Sequence, residues 1–271
     1  MKEICGDISS QYQPGWATKL AYLAKNLARG VLGCFARIPS RHYRHPVQVV
    51  NSNTVGRQYL DDFLKHSLPV LVPPGNTTIL DVGCGDGYLR SILAELGYSG
   101  KYVGLDVVRD KKYKDSESSF TSTFVLSKIE EFETSERFDL VVSNTALEHI
   151  EDDVAAIDRC KELTAHSGVQ VHIVPSFFSL FAYLLHGYRQ YNPKRIRMLF
   201  ANQEYFVWKL GGLASFILQV LWCTIPERLT ASDRMRRTTA YRSLVRIARR
   251  VDMYLPVCSL FYVVVVRSKY E

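Results

Sequence analysis

The sequence predicts an α/β fold built on a doubly wound, mostly parallel sheet, and three features lead there. Ile79-Leu80-Asp81-Val82 is a short apolar run containing a carboxylate, and Gly83, Gly85 and Gly87 follow it at two-residue spacing. Such a run reads as a buried strand entering a tight turn and a helix N-terminus. Glycines suit that turn because the backbone must bend sharply and let a ligand lie directly against it. A second apolar strand, Tyr102-Val103-Gly104-Leu105-Asp106-Val107, also ends at a carboxylate. A glycine turn after one strand and an acid at the end of the next is how a doubly wound sheet holds a ribose-bearing cofactor. The third feature is the β-branched run Val263-Val264-Val265-Val266 near the C-terminus, fit for a central closing strand.

The elements follow in order. Residues 16–38 read as a basic amphipathic helix, with Leu20, Leu23, Leu27, Val31, Phe35 and Ile38 at three- and four-residue steps. A second helix covers 58–71, and Pro73-Pro74-Gly75 breaks it before strand one. A helix over 88–96 ends at Gly97, strand two spans 102–107, and the polar stretch 110–119 is a loop. Short strands at 124–126 and 138–143, a helix at 154–163 and a fifth strand at 169–175 complete the repeat. Residues 177–240 then break the pattern with apolar stretches interrupted by basic clusters, read as a helical insertion between strands five and six. Within it, 210–225 holds no charge, but it is too short for the ~20 apolar residues that span a bilayer. A basic helix at 242–253 precedes the closing strand. The chain thus divides into an N-terminal helical extension (1–46), a core (47–176), the insertion (177–240) and a closing segment (241–271).

The glycine spacing narrows the ligand. Dinucleotide folds use G-x-G-x-x-G, with the helix N-terminus aimed at a pyrophosphate. Here the spacing is Gly83-x-Gly85-x-Gly87, preceded by Asp81. This resembles motif I of the class I S-adenosylmethionine (SAM) methyltransferases, whose ligand carries no phosphate, and is closest to their broad type 11 branch. The resemblance continues through Phe138-Asp139-Leu140-Val141-Val142-Ser143-Asn144 and Leu147-Glu148-His149, similar to that branch's strand four and the turn after it. It covers roughly residues 55–176, with a weaker echo in the last strand.

The resemblance implies a seven-stranded sheet and SAM as cofactor. It assigns the turn residues Gly83, Cys84 and Gly85 to the amino-acid end of SAM, with Asp81 orienting the loop or reaching the ammonium through water. It gives Asp106 the ribose hydroxyls, Val107 and Ile129 the neighbourhood of the adenine, and Asn144 the cleft near the methionine moiety. The chain departs from the pattern at Lys128, where relatives often carry an Asp for the adenine amino group, so backbone around Ile129 is expected to take over. His149 stands where a hydroxyl's proton could be accepted at neutral pH, or it could shape the loop by hydrogen-bonding backbone. His172, in strand five, is expected to face a helix rather than the cleft.

Composition bounds the remaining choices. The formal net charge of +7 is uneven: residues 1–46 carry +5, 47–185 carry −8 and 186–250 carry +10. Basic flanks around an acidic body suggest an anionic partner, or helices that pair with that body. The six cysteines are scattered with no C-x-x-C pair, which fits no zinc site or disulfide framework and points to a reducing, cytoplasmic setting. Residues 1–7 lack the apolar core of a signal peptide. Neither the Asn/Asp-Pro-Pro-aromatic run of amino-methylating nucleic-acid enzymes nor a Pro-Cys nucleophile is present. The expected activity is methyl transfer to oxygen of a small or medium acceptor that is lipid-linked, glycan or otherwise anionic, with peripheral contact to an anionic membrane. A degenerate fold serving as a scaffold and an RNA methyltransferase are the alternatives.

Overall fold

The computed structural model describes residues 16–44, 51–114, 119–183 and 186–268. The stretch inspected for a leader, part of the polar loop after Asp110, and Lys269 lie outside them. The strands are β1 (Ser40–His42), β2 (Asn76–Val82), β3 (Ser99–Asp106), β4 (Phe120–Leu126), β5 (Phe138–Asn144), β6 (Thr164–Pro175), β7 (Glu204–Leu210) and β8 (Phe261–Arg267). The helices are α1 (Trp16–Gly33), α2 (Val55–His66), α3 (Leu68–Leu71), α4 (Tyr88–Glu95), α5 (Asp153–Leu163), α6 (Ser179–Ala182), α7 (Pro193–Leu199), α8 (Leu213–Leu218), α9 (Ile225–Thr230) and α10 (Thr239–Asp252). Hydrogen bonds order the strands β1-β7-β8-β6-β5-β2-β3-β4. The pairs β2–β3, β2–β5, β3–β4 and β5–β6 are parallel, as the doubly wound reading requires.

Strand order reverses between β3 and β5, on either side of β2. The ends of such strands at a reversal splay apart and leave a crevice, which is where open α/β sheets bind ligands. β2, β5 and β6 are buried almost throughout, which explains why they read as continuous apolar runs rather than as alternating ones.

The chain forms two compact units. Unit 1 comprises residues 1–63, 175–195 and 208–262, and unit 2 comprises 64–174, 196–207 and 263–271. In unit 1, α1 is held by small and polar residues. A Cβ on Gly30 would lie 1.9 Å from the Phe177 ring, and one on Gly33 would lie 2.3 Å from Asn192. Asn192 Nδ2 donates to Arg29 O at 2.8 Å, and Tyr22 Oη to His186 O at 2.7 Å.

Three expectations need correction. The sheet has eight strands rather than seven, β1 being a three-residue edge addition. The region 177–240 is not wholly helical, because Glu204–Leu210 is a strand and divides it in two. Its Tyr205, Phe206, Val207 and Trp208 favour a pleated, half-buried surface, a preference masked by the basic clusters around them. The first helix ends at Gly33 instead of continuing to Ile38. Among the described residues, no helix is long and apolar enough to cross a membrane.

Candidate cofactor site at the glycine turn

The site lies within unit 2, at the C-terminal ends of β2, β3 and β5. The turn after β2 is closed from inside. Gly83 N and Cys84 N both donate to Leu105 O, at 2.7 and 3.1 Å, and Gly85 N donates to Asp106 Oδ2 at 2.9 Å. With these three N–H groups engaged, the turn can offer a ligand carbonyl oxygen and bare Cα surface. That chemistry suits an ammonium better than a phosphate.

Two glycines are required there for different reasons. Gly83 has φ of 73°, and a Cβ on it would sit 2.4 Å from Ala146 Cβ, so the turn packs directly on the segment after β5. Gly85 has φ of 51°, yet a Cβ on it would meet no atom of the described residues within 4 Å. It is conformationally demanding but faces open space, as a residue that covers a ligand should.

Asp81 is buried at the end of β2. Its Oδ2 accepts the Tyr102 hydroxyl at 2.5 Å, while Oδ1 has no hydrogen-bond partner among the described residues. Burial raises its pKa to about 7; the Tyr102 bond opposes that rise, and the nearby Asp106 adds to it. Asp106, half-buried at the end of β3, accepts from Gly85 N through Oδ2 and from Val108 N through Oδ1 at 3.2 Å. Each oxygen keeps a second lone pair, so the carboxylate can clamp the turn and still accept ribose hydroxyls. Val107 and Val108 follow it and are exposed, an apolar shelf beside the acid.

The remaining predicted residues fall around this centre. Ser127 N donates to Asp106 O at 3.0 Å, which ties the segment carrying Ile129 to the ribose acid. Ile129 buries its side chain in a 3₁₀ turn, so only its backbone can face a ligand. Lys128 is exposed and its Nζ donates to Glu131 at 3.0 Å, which removes its charge from the adenine question. Asn144, half-buried at the end of β5, leaves Oδ1 without a hydrogen-bond partner. Thr145 beside it has φ of 55°, an outlier for a β-branched residue of the kind that gathers at functional sites. His149, half-buried in the 3₁₀ turn Leu147–His149, donates its N–H to Ala146 O at 2.9 Å. The Cys84 thiol, raised well above its usual pKa by burial with Asp81 and Asp106 adding to the effect, stays protonated and is no nucleophile. His172 is fully buried between Ser143 Oγ (2.8 Å) and Gln170 Oε1 (3.0 Å) and packs on the Phe200 ring, outside the cleft as expected.

Sequence reasoning missed the layer beneath the turn. Tyr102 lies on the same face of the sheet as Asp81, because Asp81 is registered with Gly104 two residues on. Gly104 has no side chain for a reason: a Cβ there would be 2.9 Å from Cys84 Sγ and 3.0 Å from Tyr113 Oη. Arg90 of α4 is buried, stacked over the Tyr113 ring at 4.8 Å and the Tyr102 ring at 5.5 Å. The period-2 position of Tyr102 was a usable signal, but nothing in the sequence linked Arg90 or Tyr113 to the turn.

Residues 74–190 match the family described as a methyltransferase domain. Over these residues the chain is similar to a methyltransferase domain. The chain is 35% identical over 81 residues to a mitochondrial ubiquinone biosynthesis O-methyltransferase of Candida albicans, covering 27% of this chain and 25% of that protein. It is 34% identical over 116 residues to an uncharacterized methyltransferase of Mycobacterium bovis, covering 40% of this chain and 57% of that protein. It therefore spans well under two thirds of these relatives. In fold it is similar to a plantazolicin methyltransferase in complex with a desmethyl analogue and S-adenosylhomocysteine, with TM-score 0.52 at 11% identity over 80% of this chain and 86% of that one. A putative methyltransferase of Bacillus halodurans gives TM-score 0.51 at 14% identity over 77% and 100%. SAM is the methyl donor of this family. The turn fits it, with the unpartnered Oδ1 of Asp81 for an ammonium, open space over Gly85 and an acid at the ribose position.

Proposed function

We propose that the chain transfers a methyl group from SAM to an oxygen of a small or medium acceptor, one that is lipid-linked, glycan or otherwise anionic. The observation that carries this is the pairing of an open Gly85 face with Asp106, which clamps the turn and keeps lone pairs for a diol. Several relatives are named ubiquinone biosynthesis O-methyltransferases, which supports oxygen as the acceptor atom. SAM supplies an electrophilic methyl group on a sulfonium, and the protein's contribution is alignment and electrostatics. Asp81 and Asp106 place two carboxyl groups beneath a cationic ligand. His149 is the residue suited to accept the acceptor's proton.

Titration calorimetry with SAM tests the first half. Gly85→Val puts a β-branched side chain at a φ of 51° and into the ligand's space, so binding should be lost while the fold melts cooperatively. Normal binding by that variant sinks the site. His149→Ala tests the second half: SAM binding should stay near the parent's while turnover on a hydroxyl acceptor falls about 10²–10⁴-fold. Turnover within a few-fold of the parent would assign His149 to the loop instead.

A further inference from the structure

Helix α1 is seated the opposite way from an ordinary amphipathic helix. Tyr22, Asn26, Gly30 and Gly33 are buried, whereas Leu20, Leu27, Val31, Leu32 and Phe35 are exposed, Leu32 by 79% and Phe35 by 87%. Tyr22, Asn26 and the two glycines anchor it with Leu23 packed beside them, while Leu20, Leu27, Val31 and Leu32, and Phe35 just beyond its end, face water. A second stripe lies in the same unit. Ile217, Leu221, Ile225 and Leu229 are all exposed, Leu229 by 81%, along the helical run formed by α8, a π-helical segment (Gln219–Thr224) and α9. A four-residue step drifts about 40° per turn in an α-helix. The wider i→i+5 turn in the middle offsets that drift and keeps the four in line.

Aromatic packing connects the buried side of α1 to α8. Phe177 packs with Tyr22 of α1 and lies 6.0 Å from the ring of Phe181, itself exposed, while Phe178 lies 6.0 Å from Phe216, the neighbour of Ile217. The charges beside them are positive. Helix α10 docks on α8, Asp252 Oδ1 accepting from Ala214 N and Ser215 N at 3.0 and 3.2 Å, and it exposes Arg242, Arg246 and Arg250 at four-residue steps. Arg228, Arg234 and Arg237 are exposed as well, and residues 186–195 and 208–250 of this unit carry 12 basic against 2 acidic residues. Apolar stripes of this extent on one unit mark an interaction surface, and flanking arginines specify an anionic one.

We propose that unit 1 is a docking surface for a bilayer containing anionic lipid, with these stripes entering the interface and the arginines resting on the headgroups. No described helix can cross the bilayer, so the contact is peripheral. Phosphates of a nucleic acid would engage the arginines but leave the leucines in water, and a purely apolar protein partner would not use the arginines. The inference does not depend on the methyl acceptor.

The test is co-sedimentation of the full chain with phosphatidylcholine vesicles, with and without phosphatidylglycerol, across a salt series. The parent should pellet only with phosphatidylglycerol and be released as salt rises. Leu221→Glu with Leu229→Glu should abolish pelleting without moving the melting curve, since both side chains already face water. Leu32→Glu with Phe35→Glu, on the other stripe, should do the same. Arg242→Gln with Arg246→Gln should weaken binding about fivefold per charge and flatten the salt dependence. Failure of the parent to pellet at low salt overturns the proposal, as does undiminished pelleting of both Glu pairs. A concentration-dependent dimer that the Glu pairs dissolve, without lipid binding by the parent, would assign the stripes to a second copy instead.

Discussion

Each unit buries an arginine, and the two are treated differently. Arg249 in unit 1 is closed off: its guanidinium pairs with the Asp62 carboxylate and stacks 4.4 Å over the Tyr59 ring. Tyr59 Oη in turn donates to Asp252 Oδ2 at 2.8 Å. The Asp62 and Asp252 carboxylates are both met inside the fold, while Arg249 Nε and Nη1 make no hydrogen bond among the described residues. Among the described residues, Arg90 in unit 2 has no carboxylate bonded to it. It donates to Tyr113 Oη at 3.4 Å and to Lys114 O at 2.5 Å, and the nearby Asp81 is held by a phenol and titrates near neutrality. A buried ion pair locks helices, whereas a buried carboxyl kept from its cation remains free to answer a ligand. That contrast separates a structural network from a site.

The largest test of it is Asp62→Ala. Removing one partner of a buried pair leaves an uncompensated charge, which costs about 3–5 kcal/mol. Denaturant unfolding should show that loss, and a change below about 1 kcal/mol would mean that the pair does not hold unit 1. By contrast, Asp106→Ala should fold and melt near the parent but bind SAM about tenfold or more weakly, from a lost charge-assisted acceptor of about 1.5–3 kcal/mol. Unchanged calorimetric affinity would take Asp106 out of the site.

Asp81 gives the contrast a pH signature. Its pKa in the folded protein is about 7, above the 3.8 of an ordinary aspartate, so the folded state holds the proton more tightly than the unfolded chain. That contribution to stability is complete below about pH 4 and is lost as pH rises towards 7. A cationic ligand favours the carboxylate, so SAM affinity should climb with pH and level off above about 7. Asp81→Asn should flatten both curves, and a parent affinity independent of pH from 5 to 8 would refute the coupling. The smallest effect belongs to Tyr102→Phe. It removes the donor that stabilises the carboxylate, so the midpoint of that affinity curve should move to higher pH with little loss of affinity at pH 8.

The glycine turn, both strand-end acids and the order of the core strands were legible because each is local: strand periodicity, backbone bending and a carboxylate at a strand end all act within a few residues. Strand β7 was not legible, because its short pleated segment sits between basic clusters and an apolar stretch that reads as helix. Nor was the true face of α1. Its leucines recur at helical spacing, which fits either a helix paired with the body or one that meets an anionic surface. Gly30 and Gly33, set against Phe177 and Asn192, put small residues inside and leave Leu20, Leu27 and Leu32 exposed.

By itself, then, the sequence determined the strand–turn–helix grammar of the methyltransferase core and the positions of Asp81, Gly83, Gly85 and Asp106. Close backbone turns admit few residue types, so those residues announce themselves. Tertiary structure alone decided that Tyr102 and Arg90 lie under the turn, that Asp81 titrates near 7, and that Arg249 is paired while Arg90 is not. Those properties depend on burial and on partners far apart in the chain, 187 residues in the case of Asp62 and Arg249. No local pattern encodes a desolvation that arises only when distant segments close over a charge.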